Sequence, residues 1–327
     1  MRERVRAAAV VAVLAVLSYA SVRTSNHVLC GGFLPKNNLR IPVGDVSAMG
    51  ISEAAFNNVL DRIEKIYGPV IAAKGAKLII NRRWTDATVN ASANQSGTNW
   101  YLNMYGGLAR HKAVTSDGFA LVVCHELGHH IGGFPKEGGD WATNEGASDY
   151  FATLKCLRRV FDGAQAPDPM DPVGEKACAA SFPKGPARNQ CEKNVMSGVS
   201  VVALFQALSP QNPAPALDTP DPSQVAQMDD DHPAGQCRLD TYLQGSICTA
   251  KLADELSDSS PVPGACTMAG GFSTGLRPRC WYKPPKGSEF QAEELTAKQD
   301  IRQPLPDAKA LAERLETLKA ALSGRGI

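Results

Sequence analysis

The stretch Cys124–Ile131, CHELGHHI, decides how the rest of the chain is read. On an α-helix, residues four apart share a face, so His125 and His129 can aim both imidazoles at one point, with Glu126 one step round the helix. Two neutral imidazoles and one more protein ligand would hold a single zinc ion and leave a fourth tetrahedral position for water. The ion lowers that water's pKa towards about 7, and Glu126 is placed to take the proton. The plain alternative is a pair of hydrogen-bonded histidines, because HExxH also arises in helices that hold no metal. The surroundings weigh against it. Asp117–Cys124, DGFALVVC, is apolar almost throughout, as in a buried helix, and three histidines and a glutamate are costly there unless they are used. Gly132 and Gly133 supply the helix stop.

Upstream, Ser52 is a good N-cap for a packing helix in which Phe56, Val59, Leu60, Ile63, Ile66 and Tyr67 follow helical spacing, and Gly75 ends it. Ala76–Trp84 reads as a strand. Two extended pieces follow at Thr88–Ala93 and Asn99–Tyr105, separated by the turn-like NQSG. A small mixed sheet therefore precedes the active-site helix. Gly106 and Gly107 break the last strand, Leu108–His111 is a short link, and Ser116 can cap the helix.

Downstream, Trp141–Arg158 reads WATNEGASDYFATLKCLR. Thr143 or Asn144 can cap a helix with Glu145 in its first turn and Asp149 one turn later on the same side. Glu145 is the best-placed third ligand, and Asp149 could accept the free ring N–H of His125 or His129. The competing account is that both acids merely favour the helix N-terminus, at about 0.3–1 kcal/mol each. Asp162–Arg188 is a Pro- and Gly-rich loop expected to be tied by Cys178 and Cys191, and Val195–Leu208 reads as a buried helix. After another Pro-rich loop, His232 and Arg238 stand out within DDDHPAGQCRLDTYLQGSIC, whereas Asp229–Asp231 reads as a solvated acidic turn. Pro306–Leu322 has the apolar pattern of a peripheral C-terminal helix.

A length of 327 residues, 43% hydrophobic content and a net charge of +1 suit one catalytic domain with appendages and give no argument for nucleic acid. Basic Arg2, Arg4 and Arg6, the apolar run Ala7–Leu17 and small Ser18 and Ala20 read as a cleaved secretory signal over residues 1–20. The run is short for a bilayer, so an N-terminal membrane anchor is the lesser alternative. Nine cysteines in an exported chain point to disulfides. Cys124, beside His125 in an apolar helix, is expected to be the buried free thiol, leaving eight others, Cys30 among them, for four bridges. No CxxC pair exists to suggest a cysteine-bound zinc.

These residues resemble the gluzincin metallopeptidases, most closely the soluble relatives of the CAAX prenyl endopeptidase and of the stress-induced membrane peptidases of bacteria. Members carry HExxH, then a glutamate with an aspartate four residues later, then His-Pro followed by an arginine. Here those are His125, Glu126 and His129; Glu145 and Asp149 in EGASD; and His232, Pro233 and Arg238. Val89–Asn94, VNASAN, looks like the family's strand bordering the active-site cleft. The resemblance implies zinc on His125, His129 and Glu145, Glu126 as general base, Asp149 supporting a ligand, and His232 with Arg238 near the transition-state oxyanion. It spans Thr88–Arg238. Usual members have membrane helices or helical-repeat tails, and this chain shows neither, so substrates tied to membranes or prenyl groups are not carried over. A metzincin would need a third histidine where Pro135 stands.

The expectation is an α+β, zincin-like, disulfide-stabilised metallopeptidase domain over residues 46–283. It follows a signal (1–20) and an irregular segment (21–45), and a linker with a peripheral helix (284–327) comes after it. The chain is expected to be secreted or periplasmic, to carry one zinc, and to hydrolyse protein or peptide substrates as an endopeptidase, through a zinc-bound water activated by Glu126. The alternatives are a non-catalytic exported metal-binding or interaction protein on the same scaffold, and a zinc-dependent cell-wall hydrolase.

Overall fold

The structure is a computed structural model that describes residues 31–137 and 141–286. Contacts divide the chain into Met1–Lys283 and Pro284–Ile327, and every element below belongs to the first unit. The expected signal, Cys30 and the C-terminal helix lie outside the described residues.

The fold is α+β, with a three-stranded mixed sheet and a larger set of helices. Helix α1, Glu53–Ala73, begins where Ser52 accepts a hydrogen bond from the Ala55 N–H, and it buries Phe56, Leu60, Ile63, Tyr67 and Ile71 at three- and four-residue spacing. Each such side chain contributes about 1.5–3 kcal/mol when removed from water. Strands β1 (Lys77–Arg83), β2 (Ala91–Ser96) and β3 (Asn99–Tyr105) follow. The hairpin partners β2 and β3 are antiparallel, β1 pairs parallel to β3, and the order β1-β3-β2 leaves β2 at an edge. The supposed link after β3 is a helical turn, α2, Gly106–Arg110.

Helix α3, Ser116–Ile131, carries the histidines and packs on the sheet, on α1 and on the helices Glu145–Phe151 and Pro186–Leu208. Its cap is Thr115, whose Oγ1 accepts from the Gly118 N–H at 3.0 Å, one residue ahead of the Ser116 expected. Surrounded on all sides, it buries every residue from Gly118 to His130. Helix α4, Glu145–Phe151, is capped by Asn144, continues through a π-helical stretch, Ala152–Cys156, and ends in α5, Leu157–Val160. The loop expected over 162–188 contains α6, Pro172–Ser181, and α7 starts early, running from Pro186 to Leu208. Helix α8, Gly235–Ile247, follows the second Pro-rich loop.

The four disulfides correct one expectation. Cys178 pairs with Cys191 as expected, Cys237 with Cys280 and Cys248 with Cys266, but Cys124 pairs with Cys156 and is not a free thiol. Burial suits a disulfide as well as it suits a thiol, and the antiparallel run of α4 and its π extension brings Cys156 against α3. Two glycines, Gly128 on α3 and Gly132 at its C-cap, make that approach close. A Cβ added at Gly128 would stand 2.9 Å from Ser148 Cα, and one at Gly132 would stand 3.0 Å from Thr143 Cγ2. A smaller core around Trp281, Tyr150 and Tyr282 is held by the Cys237–Cys280 and Cys248–Cys266 disulfides, and the Trp281 indole lies flush on Gly146, next to Glu145.

Candidate metal centre

The two histidine rings of α3 stand perpendicular, with centroids 4.8 Å apart. His125 donates its Nδ1–H to Asp149 Oδ1 at 2.6 Å, and His129 donates its Nδ1–H to the Thr143 carbonyl at 2.8 Å. Both partners are acceptors, which fixes the ring proton on Nδ1 and turns Nε2 inward. The α3–α4 crossing thus supplies the outer partner of each imidazole as well as the facing carboxylate. His125 Nε2 is 3.2 Å from Glu145 Oε2 and His129 Nε2 is 3.7 Å from Glu145 Oε1.

All these side chains are buried, yet His125 Nε2, His129 Nε2, Glu145 Oε2 and both oxygens of Glu126 have no hydrogen-bond partner. An unsatisfied buried polar atom costs about 1–3 kcal/mol. Ligand atoms of His125, His129 and Glu145 all fall within 4.8 Å of one another, so the group could hold a metal ion. That donor set and its orphaned atoms fit such an ion, which would satisfy the convergent lone pairs together.

Electrostatics follow from burial and the facing charges. Burial pulls the His125 imidazolium down, but Asp149 and Glu145 more than reverse this and raise its pKa to about 9. Burial lowers His129 to about 4. Burial also holds the Glu126 carboxyl up at about 8. Glu145 is pushed up by burial, but His129 and His125 bring it down to about 2. Asp149 is held well below the carboxylate range by Arg238 and His125 despite its burial.

Arg238 lies behind His125 rather than in front of it. Its Nε and Nη2 donate to the two oxygens of Asp149 at 2.7 and 2.8 Å, and its Nη1 donates to the Phe33 carbonyl at 2.9 Å. The guanidinium lies against the adjacent rings of Phe33 and Phe205, each ring centroid 4.5 Å away. A group committed to the Nδ1 edge of His125 in this way supports Asp149, in place of the oxyanion contact expected from the resemblance. His232 does reach the rim of the centre. Its Nε2 is 3.5 Å from Glu145 Oε1, and it donates to the Gly32 carbonyl at 2.6 Å.

Sequence reasoning missed Thr143, whose contribution is a backbone carbonyl and leaves no residue signature. It missed Tyr242 and Phe33 as well. The Tyr242 hydroxyl donates to Asp149 Oδ1 at 2.9 Å, and the Phe33 ring meets the His125 ring edge-on at 4.9 Å. Tyr242 stands four residues after Arg238 on α8, a spacing that places both on one face and could have signalled the pair.

No family model, no curated protein and no solved structure matches this chain.

Proposed function

We propose that the chain is an exported zinc metallopeptidase with a zincin-like catalytic domain of the gluzincin type. The observation that carries this reading is the convergence of two bare histidine nitrogens and a bare carboxylate oxygen, with both oxygens of Glu126 unpartnered on the next residue of the same helix. Two histidines and one carboxylate with an open position are a donor set suited to catalytic zinc. His125 and His129 through Nε2, and Glu145 through its carboxylate, would hold the ion. Bound there, zinc would polarise a peptide carbonyl and lower the pKa of a water towards about 7.

The remaining work falls to side chains of this chain. Glu126, one residue from His125 on the same helix and with both carboxylate oxygens unpartnered, takes the proton of the attacking water and passes it to the leaving amine. Asp149 and the Thr143 carbonyl hold the two imidazoles in the tautomer that faces the ion. Arg238 and Tyr242 fix Asp149, and His232 at the rim supplies an N–H to a polypeptide carbonyl. Four disulfides support an oxidising compartment, secreted or periplasmic. Among the described residues no helix is long and apolar enough to cross a membrane.

The test pairs zinc content with cleavage of an unfolded protein for the native chain, Glu126→Gln and Glu145→Ala. About one zinc in the first two, cleavage by the first alone, and loss of zinc from the third are expected. Cleavage retained by Glu126→Gln would refute its role as base, and full zinc in Glu145→Ala would refute the ligand set.

A further inference from the structure

The segment 31–41 touches the chain leading into β2 in two places: Leu39–Ile41 pairs antiparallel with residues 87–89, and Phe33 bonds Ala91, the first residue of β2. Phe33 N–H donates to the Ala91 carbonyl at 3.0 Å, and Ile41 N–H donates to the Ala87 carbonyl at 2.8 Å. The segment is anchored from Phe33 onward. Phe33 and Leu34 are fully buried, Arg238 holds the Phe33 carbonyl, and the Asn90 side chain clasps Leu34 through both its N–H and its carbonyl. Ahead of that anchor stand two glycines with no side chain to pack. Gly32 has φ +91°, and a Cβ there would meet Asn90 Nδ2 at 2.8 Å and the Ala91 carbonyl at 2.9 Å, so only glycine fits this bend. Its carbonyl accepts the His232 Nε2–H at 2.6 Å, and the same nitrogen is 3.5 Å from Glu145 Oε1.

We propose that Gly31–Gly32 is an internal occupant of the substrate cleft: the Gly32 carbonyl takes the His232 N–H that a polypeptide substrate's carbonyl would take, so the chain's own segment competes with substrate. The inference rests on the peptidase reading above and assigns that site its regulation. One His232 N–H cannot serve both carbonyls, so turnover requires the two glycines to swing off His232 about the Phe33 anchor. A single hydrogen bond, at its usual net worth, corresponds to roughly a two- to tenfold competition. If the contact instead held His232 in its working position, disturbing it would weaken substrate capture. The two accounts therefore predict opposite signs.

The test uses the full zinc-loaded chain carrying Glu126→Gln, so that substrate binds without being cut, and a fluorescein-labelled, reduced and carboxymethylated polypeptide as the probe. Gly32→Ala is added to dislodge the bend, and Asn90→Ala is added separately to loosen the clasp without introducing a clash. Each is expected to tighten binding by anisotropy roughly two- to tenfold. In the Glu126-containing chain each is expected to raise kcat/KM by the same factor, with zinc content and Tm near those of the parent. Unchanged or weaker binding in both overturns the proposal, and so does loss of zinc or fold in both, which would make the segment a structural wall. Unchanged binding beside normal cleavage by the native chain sinks the occupant alone. No probe binding by any variant, with zinc bound and no cleavage by the native chain, sinks the peptidase reading with it.

Discussion

Gly128 sits where α3 and α4 lie close together, and Gly128→Ala measures how tightly that crossing sets the candidate metal centre. The added Cβ would stand 2.9 Å from Ser148 Cα, 3.0 Å from the Ser148 carbonyl oxygen and 3.1 Å from Phe151 Cδ1. Carbon contacts are optimal at about 3.5–4.0 Å, so the helices must part by roughly 0.5–1 Å. The Cys124–Cys156 disulfide, one turn away on α3, holds the far end of the crossing, so the opening falls towards Ser148 and Glu145. The stability terms nearly cancel. Alanine gains about 1 kcal/mol in helix propensity over glycine, overpacking costs about 1–3 kcal/mol, and the net is a loss of about 0–2 kcal/mol.

The ligand geometry has no such compensation. Metal ligands tolerate about 0.2 Å, and a displaced Glu145 and Asp149 should weaken zinc binding about 10–100-fold, the usual effect of disturbing a supporting shell. Zinc affinity is read by competition with a chromophoric chelator, and Tm by thermal unfolding of the metal-free protein. Native zinc affinity in a Gly128→Ala protein of near-native Tm would refute the claim that the crossing positions the carboxylate.

Asp149→Asn should weaken zinc affinity about 10–100-fold and cost about 3–5 kcal/mol in a urea titration, because it leaves the Arg238 guanidinium buried without its counter-charge; a loss below about 1 kcal/mol would show that the pair is replaceable. His125 can ligate through Nε2 only when neutral, and Asp149 and Glu145 raise its pKa to about 9, so apparent zinc affinity should climb about tenfold per pH unit from pH 6 to 8 and flatten above about 9. Calorimetry in two buffers should count at least one proton released per zinc at pH 7, and none would refute the imidazolium. Removing the Cys124–Cys156 bridge with a double alanine substitution should cost about 3–4 kcal/mol for its 32-residue separation, and a loss within about 0.5 kcal/mol would return Cys124 to the role of a packed thiol.

What the sequence made legible was local and periodic. The HExxH spacing and the four-residue step from Glu145 to Asp149 are helix geometry, and α3 and α4 place those side chains together. The bounds of β3 were read directly because its run ends at two glycines, Gly106 and Gly107, on which no side chain could fit against Trp84 and Ala87. Long-range pairing was not legible. Cys124 looks like a core thiol from its neighbours, and only the return of α4 against α3 shows the partner at Cys156. Helix α8 escaped for a different reason. Its interior positions include Arg238, Asp240, Thr241 and Tyr242, all buried, so its polar pattern resembles a loop although it lies inside the protein.

That polar helix also explains why a costly arrangement is kept. Taking Arg238 and Asp149 from water costs several kcal/mol per ion, and apolar residues of the same volume would pack there more cheaply. Asp149 is nevertheless saturated: Oδ1 accepts from His125, Arg238 and Tyr242, and Oδ2 accepts from Arg238 Nε. A carboxylate held from four directions cannot rotate, and neither can the imidazole it orients. The third arm of Arg238 reaches the Phe33 carbonyl, immediately beyond the glycine that occupies His232. One buried guanidinium therefore sets the His125 ring of the candidate metal centre and anchors the segment whose Gly32 carbonyl bonds His232, so the two cannot be tuned independently. Replacing Arg238 with an apolar residue would release both, whereas Tyr242→Phe disturbs only the Asp149 side. Comparing zinc affinity and polypeptide binding between those two variants separates the anchoring role from the orienting one.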